Sequence, residues 1–369
     1  VANLAQKAQP DRPVNTFTLA FEEASFNEGE YARAIAKAIG TNHREILLTE
    51  SSFVKNLDTA IETLDQPTFD GLNSYYMSKA VREAGLTVAL VGTGGDELFG
   101  GYTTFRYVPT MLRWSRRSAW MPKGAKLAMA RLVRAMKQRG RSGAVAPQTK
   151  WAKLPAMVDA DDDRIALYQL SYALFLPDFQ RELLAPDLRD AALPDGLPPA
   201  LHERLVREVH HHSPLSAISV MEQRCFLGER LLRDTDAASM ASALELRVPL
   251  VDQVLTAHVN RLSDNARYAP VGRKQALRDA GLEGLDPGLF DRPKSGFVLP
   301  FDRWIRQNLG TAMDQTMNDA RAAAAVGLDG AAVAKLWRAF RDDAPGMYWS
   351  RVWAIYVLLR WCHRHGVLL

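Results

Sequence analysis

Short apolar runs and segments of helical periodicity alternate along the first hundred residues. The run LTVALV at residues 86–91 is apolar and β-branched enough to be a strand buried on both faces. An apolar stripe from Tyr31 to Ile39 predicts a helix that a capping box of Asn27 and Glu30 begins and Gly40 ends. Strands are predicted at residues 14–21, 45–48 and 86–91, and helices at residues 27–39, 51–64 and 75–83. Strands joined through helices cross over right-handedly, so this region predicts an open, twisted, parallel α/β sheet.

The rest of the chain has a different pattern, in which helical periodicity dominates. Helices are predicted at residues 164–175, 201–211, 214–232, 254–262, 331–340 and 349–363, with Pro and Gly clusters between them. We therefore predict two parts. An α/β region covers residues 1–110, and a mainly helical part covers residues 111–369.

Composition narrows the class of protein. The 369 residues are 47% hydrophobic and 24% charged, which is ordinary for a globular protein. No apolar run reaches the roughly 20 residues of a membrane-spanning helix, and residues 1–9 lack the features of a signal peptide. Cys225 and Cys362 have no metal-site spacing, which favours two reduced thiols and a cytoplasmic location without membrane contact.

Positive charge is concentrated in one stretch, residues 106–153. No Asp or Glu occurs between Thr103 and Val158, and ten Lys and Arg residues lie between residues 113 and 141. A solvated basic helix face explains such a stretch, and so does a surface that docks an acidic partner or a companion domain. Nucleic-acid binding is not favoured, because no aromatic stacking pattern or nucleic-acid-binding module accompanies the charge.

The segment with most chemical information is VGTGGDELFGGY, residues 91–102, directly after a predicted strand. Gly92, Gly94 and Gly95 let the backbone turn sharply and present its N–H groups to a ligand. Asp96 and Glu97 add hard oxygen donors of the kind that Mg²⁺ takes together with phosphate oxygens. Taken alone, a glycine-rich turn also fits a tight strand-to-helix connection. The prediction of a ligand site therefore depends on all twelve residues of the segment.

Residues 91–102 resemble the second signature of the asparagine synthetase family, Ser-Gly-x-Gly-Gly-Asp-Glu-Leu-Phe-Gly-Gly-Tyr. Further matches follow in the family's order: LLRDTDAASMASALELRVPLVD (231–252), GRKQALRDA (272–280) and RPKSGFVLP (292–300) with Trp304. Earlier in the chain, residues 17–21 and 40–45 resemble the family's adenine-side region. The chain thus resembles the C-terminal synthetase domain of the glutamine-hydrolysing members.

This resemblance implies a fold and a reaction. The fold is an open parallel sheet of the pyrophosphate-loop, or adenine nucleotide alpha hydrolase-like, type with a mainly helical C-terminal part. The reaction uses ATP and Mg²⁺ to convert aspartate to asparagine through a β-aspartyl-adenylate that ammonia attacks. Ammonia comes from glutamine in the full-length protein, where an N-terminal glutaminase domain is the expected partner. The resemblance is also compatible with a homodimer.

The same resemblance assigns roles to individual residues. Asp96 is expected at Mg²⁺ and pyrophosphate, and Asp236 and Thr93 at the amino-acid substrate. The expected catalytic residues are Lys274, Lys294 and Glu97, and the expected nucleotide-binding residues are Leu19, Val91, Gly92, Gly94 and Gly95. Glu245 and Arg247 are expected to form an ion pair, and Met240 to be buried in the core.

Departures from the family pattern keep other functions open. Val91 stands where the family has Ser, Ala237 stands where it has Arg, and Thr93 replaces a carboxylate that manages protons during attack by ammonia. One alternative is an amidotransferase acting on another carboxylate, such as a sugar acid or a peptide side chain. The other is a binding module without catalysis. Kept charges at Asp96, Lys274 and Lys294 favour an enzyme.

Two family features do not occur in the sequence. The first signature, Ser-Gly-Gly-x-Asp-Ser, cradles pyrophosphate at a helix N-terminus, and we expect it just before the helical spacing of Val1, Leu4, Ala5 and Ala8. The glutaminase domain with its N-terminal Cys is expected further upstream. We therefore expect this stretch alone to be inactive as a fragment of a longer parent.

Overall fold

The structure, a computed structural model, describes residues 1–68, 71–137, 150–191, 196–291 and 299–369. The strands are β1 (Asn15–Ala20), β2 (Asn42–Leu47), β3 (Val88–Leu90) and β4 (Glu245–Arg247). The first helices are α1 (Ala2–Ala8), α2 (Gly29–Ile39), α3 (Glu50–Glu62), α4 (Gly71–Glu83), α5 (Gly95–Phe99), α6 (Thr104–Arg117), α7 (Lys123–Lys137), α8 (Leu154–Ala160), α9 (Arg164–Tyr172), α10 (Pro177–Leu183), α11 (Pro199–Val209) and α12 (Pro214–Met221). The remaining helices are α13 (Arg233–Met240), α14 (Gln253–Val259), α15 (Asp264–Tyr268), α16 (Gln275–Gly281), α17 (Phe301–Arg306), α18 (Asn308–Met317), α19 (Ala320–Ala324), α20 (Gly330–Arg341) and α21 (Trp349–His365).

The chain folds into two compact units, each built from two separate segments. Unit 1 consists of Val1–Gly101 and Gln223–Trp304, and unit 2 consists of Tyr102–Glu222 and Ile305–Leu369. The four strands of the described ranges belong to unit 1. The described part of unit 2 is mainly helical, with one isolated antiparallel bridge between Leu184 and Leu328. The sequence predicts a single boundary at residue 110. The structure differs because residues 223–304 return to unit 1.

Unit 1 contains two pairs of parallel strands. β1 pairs with β2, so that Leu19 lies opposite Ile46, and β3 pairs with β4, so that Val88 lies opposite Glu245. Strands form within all three predicted ranges, and the parallel direction of the first two, β1 and β2, is confirmed. β3 is parallel to β4, a strand that was not predicted. Within the described ranges, however, the pairs form two separate two-stranded sheets instead of the single open sheet. The expectation that residues 86–91 are buried on both faces is wrong, because Val88 is 38% and Leu90 is 49% exposed.

The prediction for the C-terminal end of α2 is correct, and the prediction for its N-terminal end is wrong. Gly40 ends this helix with φ of +82°, a conformation that glycine adopts without steric cost. The predicted capping box does not form. Instead, Asn27 Oδ1 accepts from the Gly29 N–H at 2.9 Å, and no side chain caps the helix from its N-cap position, Glu28.

An aromatic cluster forms much of the core of unit 1. Phe53 lies 4.9 Å from Trp304 and 4.6 Å from Tyr76, measured between ring centroids, and Phe301 packs edge-on against Phe53. Trp304 is completely buried, and its indole N–H donates to Glu23 Oε1 at 2.9 Å. Large aromatic side chains contribute most when their polar atoms keep a partner. The Trp that belongs to the last family-like segment is therefore a packing residue.

The chain does not form the one long helix that was predicted over residues 214–232. α12 ends at Met221, and a π-helical segment, Glu222–Leu232, continues the chain to α13. Glu222 is fully buried and accepts from the hydroxyl groups of Thr104 at 2.5 Å, Tyr168 at 3.2 Å and Tyr172 at 2.8 Å. Hydrogen bonds of this kind are what allows a carboxylate to be buried.

Lys153 is a largely buried cation of unit 2. Its ammonium group donates to the backbone oxygens of Leu170 at 2.7 Å and Ser171 at 3.4 Å. Burial lowers the pKa of Lys153 to about 8, and the positive charge of Arg351 acts in the same direction. The unfolded chain keeps this proton up to a pKa of about 10.4, so it binds more protons than the folded chain between these two values.

We expect the free energy of unfolding to rise as pH increases from about 8 to about 10, because folding releases the Lys153 proton in that range. Lys153→Met removes this rise. Chemical denaturation at a series of pH values measures it, with Lys55→Met, at an exposed lysine of α3, as the control that keeps the rise. An equal pH dependence in the original protein and Lys153→Met would contradict the assignment.

No helix within the described ranges is long and apolar enough to cross a membrane.

Candidate functional site

The glycine-rich turn follows β3 directly. The Val91 N–H donates to the Arg247 oxygen at 3.0 Å, which extends the β3–β4 pairing by one step. Gly94 then takes φ of +100°, and a Cβ there would lie 2.8 Å from Val251 Cγ2. Glycine is therefore required at residue 94 by both its backbone angle and its neighbour. Gly92 is exposed and Thr93 is half-buried, so the turn presents part of its backbone to solvent.

Asp96 and Lys274 come together although many residues separate them in the sequence. The Lys274 ammonium lies 2.9 Å from Asp96 Oδ1, and the side chains are 31% and 23% exposed. Lys274 precedes α16 with φ of +53°, and the nearby Gly272 N–H donates to the Gly100 oxygen at 3.0 Å. The glycine turn and the segment 272–280 were identified separately in the sequence. The structure brings them together, and Asp96 of the first and Lys274 of the second form a partly exposed charged pair.

Gly101 is the residue against which this pair is held. A Cβ at residue 101 would lie 1.7 Å from Asp96 Oδ1 and 3.0 Å from Lys274 Cδ. The Gly101 N–H also donates to the backbone oxygen of Asp96 at 2.9 Å. Only a residue without a side chain leaves room for the carboxylate in this position. The sequence does not reveal this role, because it depends on the approach of Asp96.

Glu97 differs from its neighbour Asp96 in exposure. Its side chain is 1% exposed within α5, so its carboxylate is turned away from solvent. The same short helix is tied to α15 by Arg267, which is 3% exposed and donates through Nε to the Leu98 oxygen at 2.7 Å. Burial lowers the pKa of Arg267. These contacts fix the position of α5 and hence of Asp96.

A buried acidic residue that sequence reasoning missed lies two positions before Asp236. Asp236 is exposed on α13. Asp234 is 3% exposed and accepts from Thr68 Oγ1 at 2.6 Å and Gln66 Nε2 at 3.0 Å. The backbone of Gly71 also approaches Asp234, since a Cβ at residue 71 would lie 3.2 Å from Asp234 Cβ. The polar residues of the segment DQPT (65–68) are the feature of the sequence that indicates a buried polar partner such as Asp234.

The remaining expected site residues lie elsewhere in unit 1 or outside the described ranges. Leu19 is 2% exposed in β1, so its side chain is a core residue whatever its backbone binds. Glu245 and Arg247 do form an ion pair, 2.8 Å long, at the exposed surface. Met240 is 59% exposed, so the expectation that it is buried is wrong. Lys294 lies outside the described residues.

Comparison with known proteins places this arrangement in a family. The sequence profile of the asparagine synthase family matches residues 1–363, nearly the whole chain. The chain belongs to the asparagine synthase family.

Individual relatives are 23–29% identical to this chain over the parts that match. A protein of Mycobacterium tuberculosis, provisionally named as a glutamine-hydrolysing asparagine synthetase, is 29% identical over 79% of this chain and 42% of its own length. The glutamine-hydrolysing asparagine synthetase 1 of Bacillus subtilis is 24% identical, with 84% of this chain and 46% of its own length covered. The amidase chyE of Penicillium rubens is 23% identical, with 78% and 44% covered. The chain therefore spans less than half the length of these family relatives.

The Asp96 carboxylate has the chemistry of a ligand for a Mg²⁺ ion that also binds phosphate. The described residues contain no group of three or more His, Cys, Asp or Glu side chains that could hold a metal ion by themselves. Mg²⁺ commonly uses one or two carboxylates together with water and substrate phosphates. Asp96, whose side chain is partly exposed at the end of the glycine turn, is the carboxylate that would hold such an ion.

Proposed function

We propose that this protein catalyses ATP-dependent amide synthesis, with aspartate as the carboxylate and asparagine as the product. The observation that carries the proposal is the Asp96–Lys274 pair, held against Gly101 at the end of the glycine turn. Membership of the asparagine synthase family and the names of the relatives support the same reaction. In it, the aspartate side-chain carboxylate attacks the α-phosphorus of ATP and pyrophosphate leaves. Ammonia then attacks the acyl carbon of the adenylate, the bond between this carbon and the AMP oxygen breaks, and AMP leaves.

The glycine turn and the charged pair have distinct tasks in this proposal. The backbone N–H groups of Gly92, Gly94 and Gly95 are proposed to face the nucleotide, and the backbone of Val91 to lie against it. The backbone of Leu19 is proposed to face adenine. The Lys274 ammonium neutralises charge that develops on the departing pyrophosphate, and Lys294 is the second proposed lysine. Mg²⁺, held by Asp96, supplies further charge neutralisation when it is bound.

The Asp96–Lys274 contact suits binding of a phosphate. In the free protein the carboxylate keeps the lysine side chain directed to the end of the glycine turn, at 2.9 Å. A long, flexible lysine held in place loses less conformational entropy when phosphate arrives. The Asp96 carboxylate compensates part of the lysine charge until then. The pair therefore prepares the site for an anion without leaving a bare positive charge.

Amide formation needs a group that accepts a proton from the attacking ammonia. The hydroxyl of Thr93 is not a base near neutral pH, and Glu97 is 1% exposed. We assign the proton to pyrophosphate, which still lies beside Lys274 when ammonia attacks. Asp236, exposed on α13, and Thr93 are proposed to contact aspartate.

Ammonia is proposed to come from glutamine, released by a glutaminase domain in the full-length protein. The names of the relatives, which describe glutamine hydrolysis, support this part of the proposal. A cytoplasmic location, where ATP and both amino acids are present, follows from the same proposal.

A second candidate is amide synthesis on a different carboxylate. The match to the Penicillium rubens amidase and the departures at Thr93 and Ala237 favour it. These residues belong to segments proposed to contact the acyl substrate, while Asp96 and Lys274 remain as in the main proposal. The two candidates thus differ in substrate and share the activation of a carboxylate by ATP.

The test is ATP–pyrophosphate exchange with the full-length protein. We expect aspartate to stimulate exchange, and asparagine to form when ammonia is added, because a reversible adenylate is the first intermediate. Exchange that responds to a sugar acid or a peptide carboxylate instead of aspartate would assign the second candidate. ATP binding without exchange on any carboxylate would leave a binding module and refute both.

A further inference from the structure

Helix α7 (Lys123–Lys137) of unit 2 has one side that packs inside the unit. Lys126 and Ala130 are each 5% exposed, and α7 packs mainly against α8. The Lys126 ammonium lies 3.6 Å from Asp161 Oδ1, and the Ser115 hydroxyl donates to the same atom at 2.6 Å. The Ser115 hydrogen bond, followed by the charge of Lys126, lowers the pKa of Asp161. The positive charge of Lys126 on this side of the helix is therefore compensated by Asp161.

The opposite side of α7 is apolar and exposed. Its members recur at helical spacing and lie within about 60° of Leu132 around the helix axis, at about 100° per residue. Met129, Leu132 and Met136 are 42%, 60% and 63% exposed, and Ala125, Ala128 and Ala135 on the same side are also exposed. We call this surface the α7 stripe: Ala125, Ala128, Met129, Leu132, Ala135 and Met136.

The charge beside the α7 stripe has a single sign. Arg131 is exposed on its flank, and no Asp or Glu occurs between Thr103 and Val158. Asp159 and Asp161, the first acids after this stretch, contact Lys123 at 3.8 Å and Lys126 at 3.6 Å, on the other side of the helix. A partner on the stripe therefore meets apolar side chains with the positive charge of Arg131 on one flank.

Charge argues against a second copy of this chain as the occupant. Two copies would bring two acid-free stretches together. In an antiparallel pair centred on residues 125–136, residue 131 lies at the middle, so the two Arg131 guanidinium groups would meet on one flank. Like charges in such positions destabilise helix pairs.

The sizes of the side chains argue for a helix rather than a lipid surface. Three of the six stripe residues are Ala, and they alternate with Met and Leu. Small residues leave hollows into which the side chains of a second helix fit, as in helix pairs with interlocking side chains. Helices that lie in a lipid surface instead insert bulky Trp, Phe and Leu side chains. Methionine adapts to the shape of its partner.

We propose that the α7 stripe docks an amphipathic helix of a protein partner that carries Leu and Ala on its contact face and Asp or Glu along its flank. The apolar seam provides the contact area, and the acidic flank pairs with Arg131. This function is separate from the proposed chemistry of unit 1, since all residues of the stripe belong to unit 2.

The probe is a synthetic helical peptide of about 20 residues with Leu and Ala on one face and Glu on both flanks. Fluorescence anisotropy should show binding to the full-length protein with a Kd in the micromolar range. The double variant Leu132→Ser/Met136→Ser and the single variant Arg131→Glu should each weaken binding by about 10-fold or more. Both substitutions are at exposed positions, so the fold is retained.

Matched controls make the result specific. Val254→Ser, at a 64% exposed residue of unit 1, should leave binding unchanged. The same peptide with Lys in place of Glu should bind about 10-fold or more weakly. Equal binding of the two peptides, or undiminished binding to the stripe variants, would refute the proposal. Binding to phosphatidylglycerol vesicles in place of the peptide, or self-association through the stripe in sedimentation experiments, would also refute it.

Discussion

Gly101→Ala should lower the rate of aspartate-dependent ATP–pyrophosphate exchange by about 100-fold or more. The new methyl group would lie 1.7 Å from Asp96 Oδ1 and 3.0 Å from Lys274 Cδ, so the carboxylate must move and the charged pair must open. The proposed Mg²⁺ ligand and the proposed phosphate ligand are lost together. Steady-state exchange kinetics of the purified full-length variant measure the effect.

Gly281→Ala is the matched control for this substitution. Gly281 is also a buried glycine of unit 1, and a Cβ there would meet no atom within 4 Å. We expect exchange and stability close to those of the original protein. A Gly101→Ala variant that is folded and within a few-fold of the original rate would show that Asp96 is not required where we place it.

Trp304→Ala should reduce the free energy of unfolding of unit 1 by about 3–5 kcal/mol, the usual cost of removing a large buried aromatic side chain. Its ring is completely buried against Phe53, and the substitution also leaves Glu23 without its indole donor at 2.9 Å. Chemical denaturation followed by circular dichroism measures the loss. Trp304→Phe, which keeps an aromatic ring, should cost clearly less.

Trp120→Ala provides the comparison at a surface position. Trp120 is 81% exposed, and substitutions at such sites usually change stability by less than about 0.5 kcal/mol. Similar losses for Trp120→Ala and Trp304→Ala would contradict the core that we describe.

Local patterns predicted those parts of the fold that depend on neighbouring residues. The apolar run at residues 14–21 forms β1, and Gly40 ends α2 because a left-handed residue can be recognised from its type. β4 was missed, since Glu245, Leu246 and Arg247 form a strand only by pairing with β3. For the same reason the exposure of Leu90 and Met240 was misjudged. Side-chain composition does not tell which surfaces of a short element are covered.

The candidate site was predictable as a set of residues and not as a geometry. Asp96 and Lys274 were each proposed from the family-like segments, yet their 2.9 Å contact requires the chain to bring residues 272–274 back to the glycine turn. Gly101 gains its importance from the approach of Asp96 and Lys274, so its place in the sequence gave no sign of it. Asp234 could be found only through its distant polar partners in the segment DQPT.

The two-segment construction of unit 1 has a consequence during protein synthesis. Among the described residues β3 at Val88–Leu90 pairs with β4 at Glu245–Arg247 alone, and the first segment of unit 2 is translated between them. At about 5–20 residues per second, β3 emerges on the order of ten seconds before its partner. Val88 and Leu90 remain at an open strand edge during this time. Until residue 247 has left the ribosome, β3 therefore lacks β4 and its edge is open to contacts with other nascent chains.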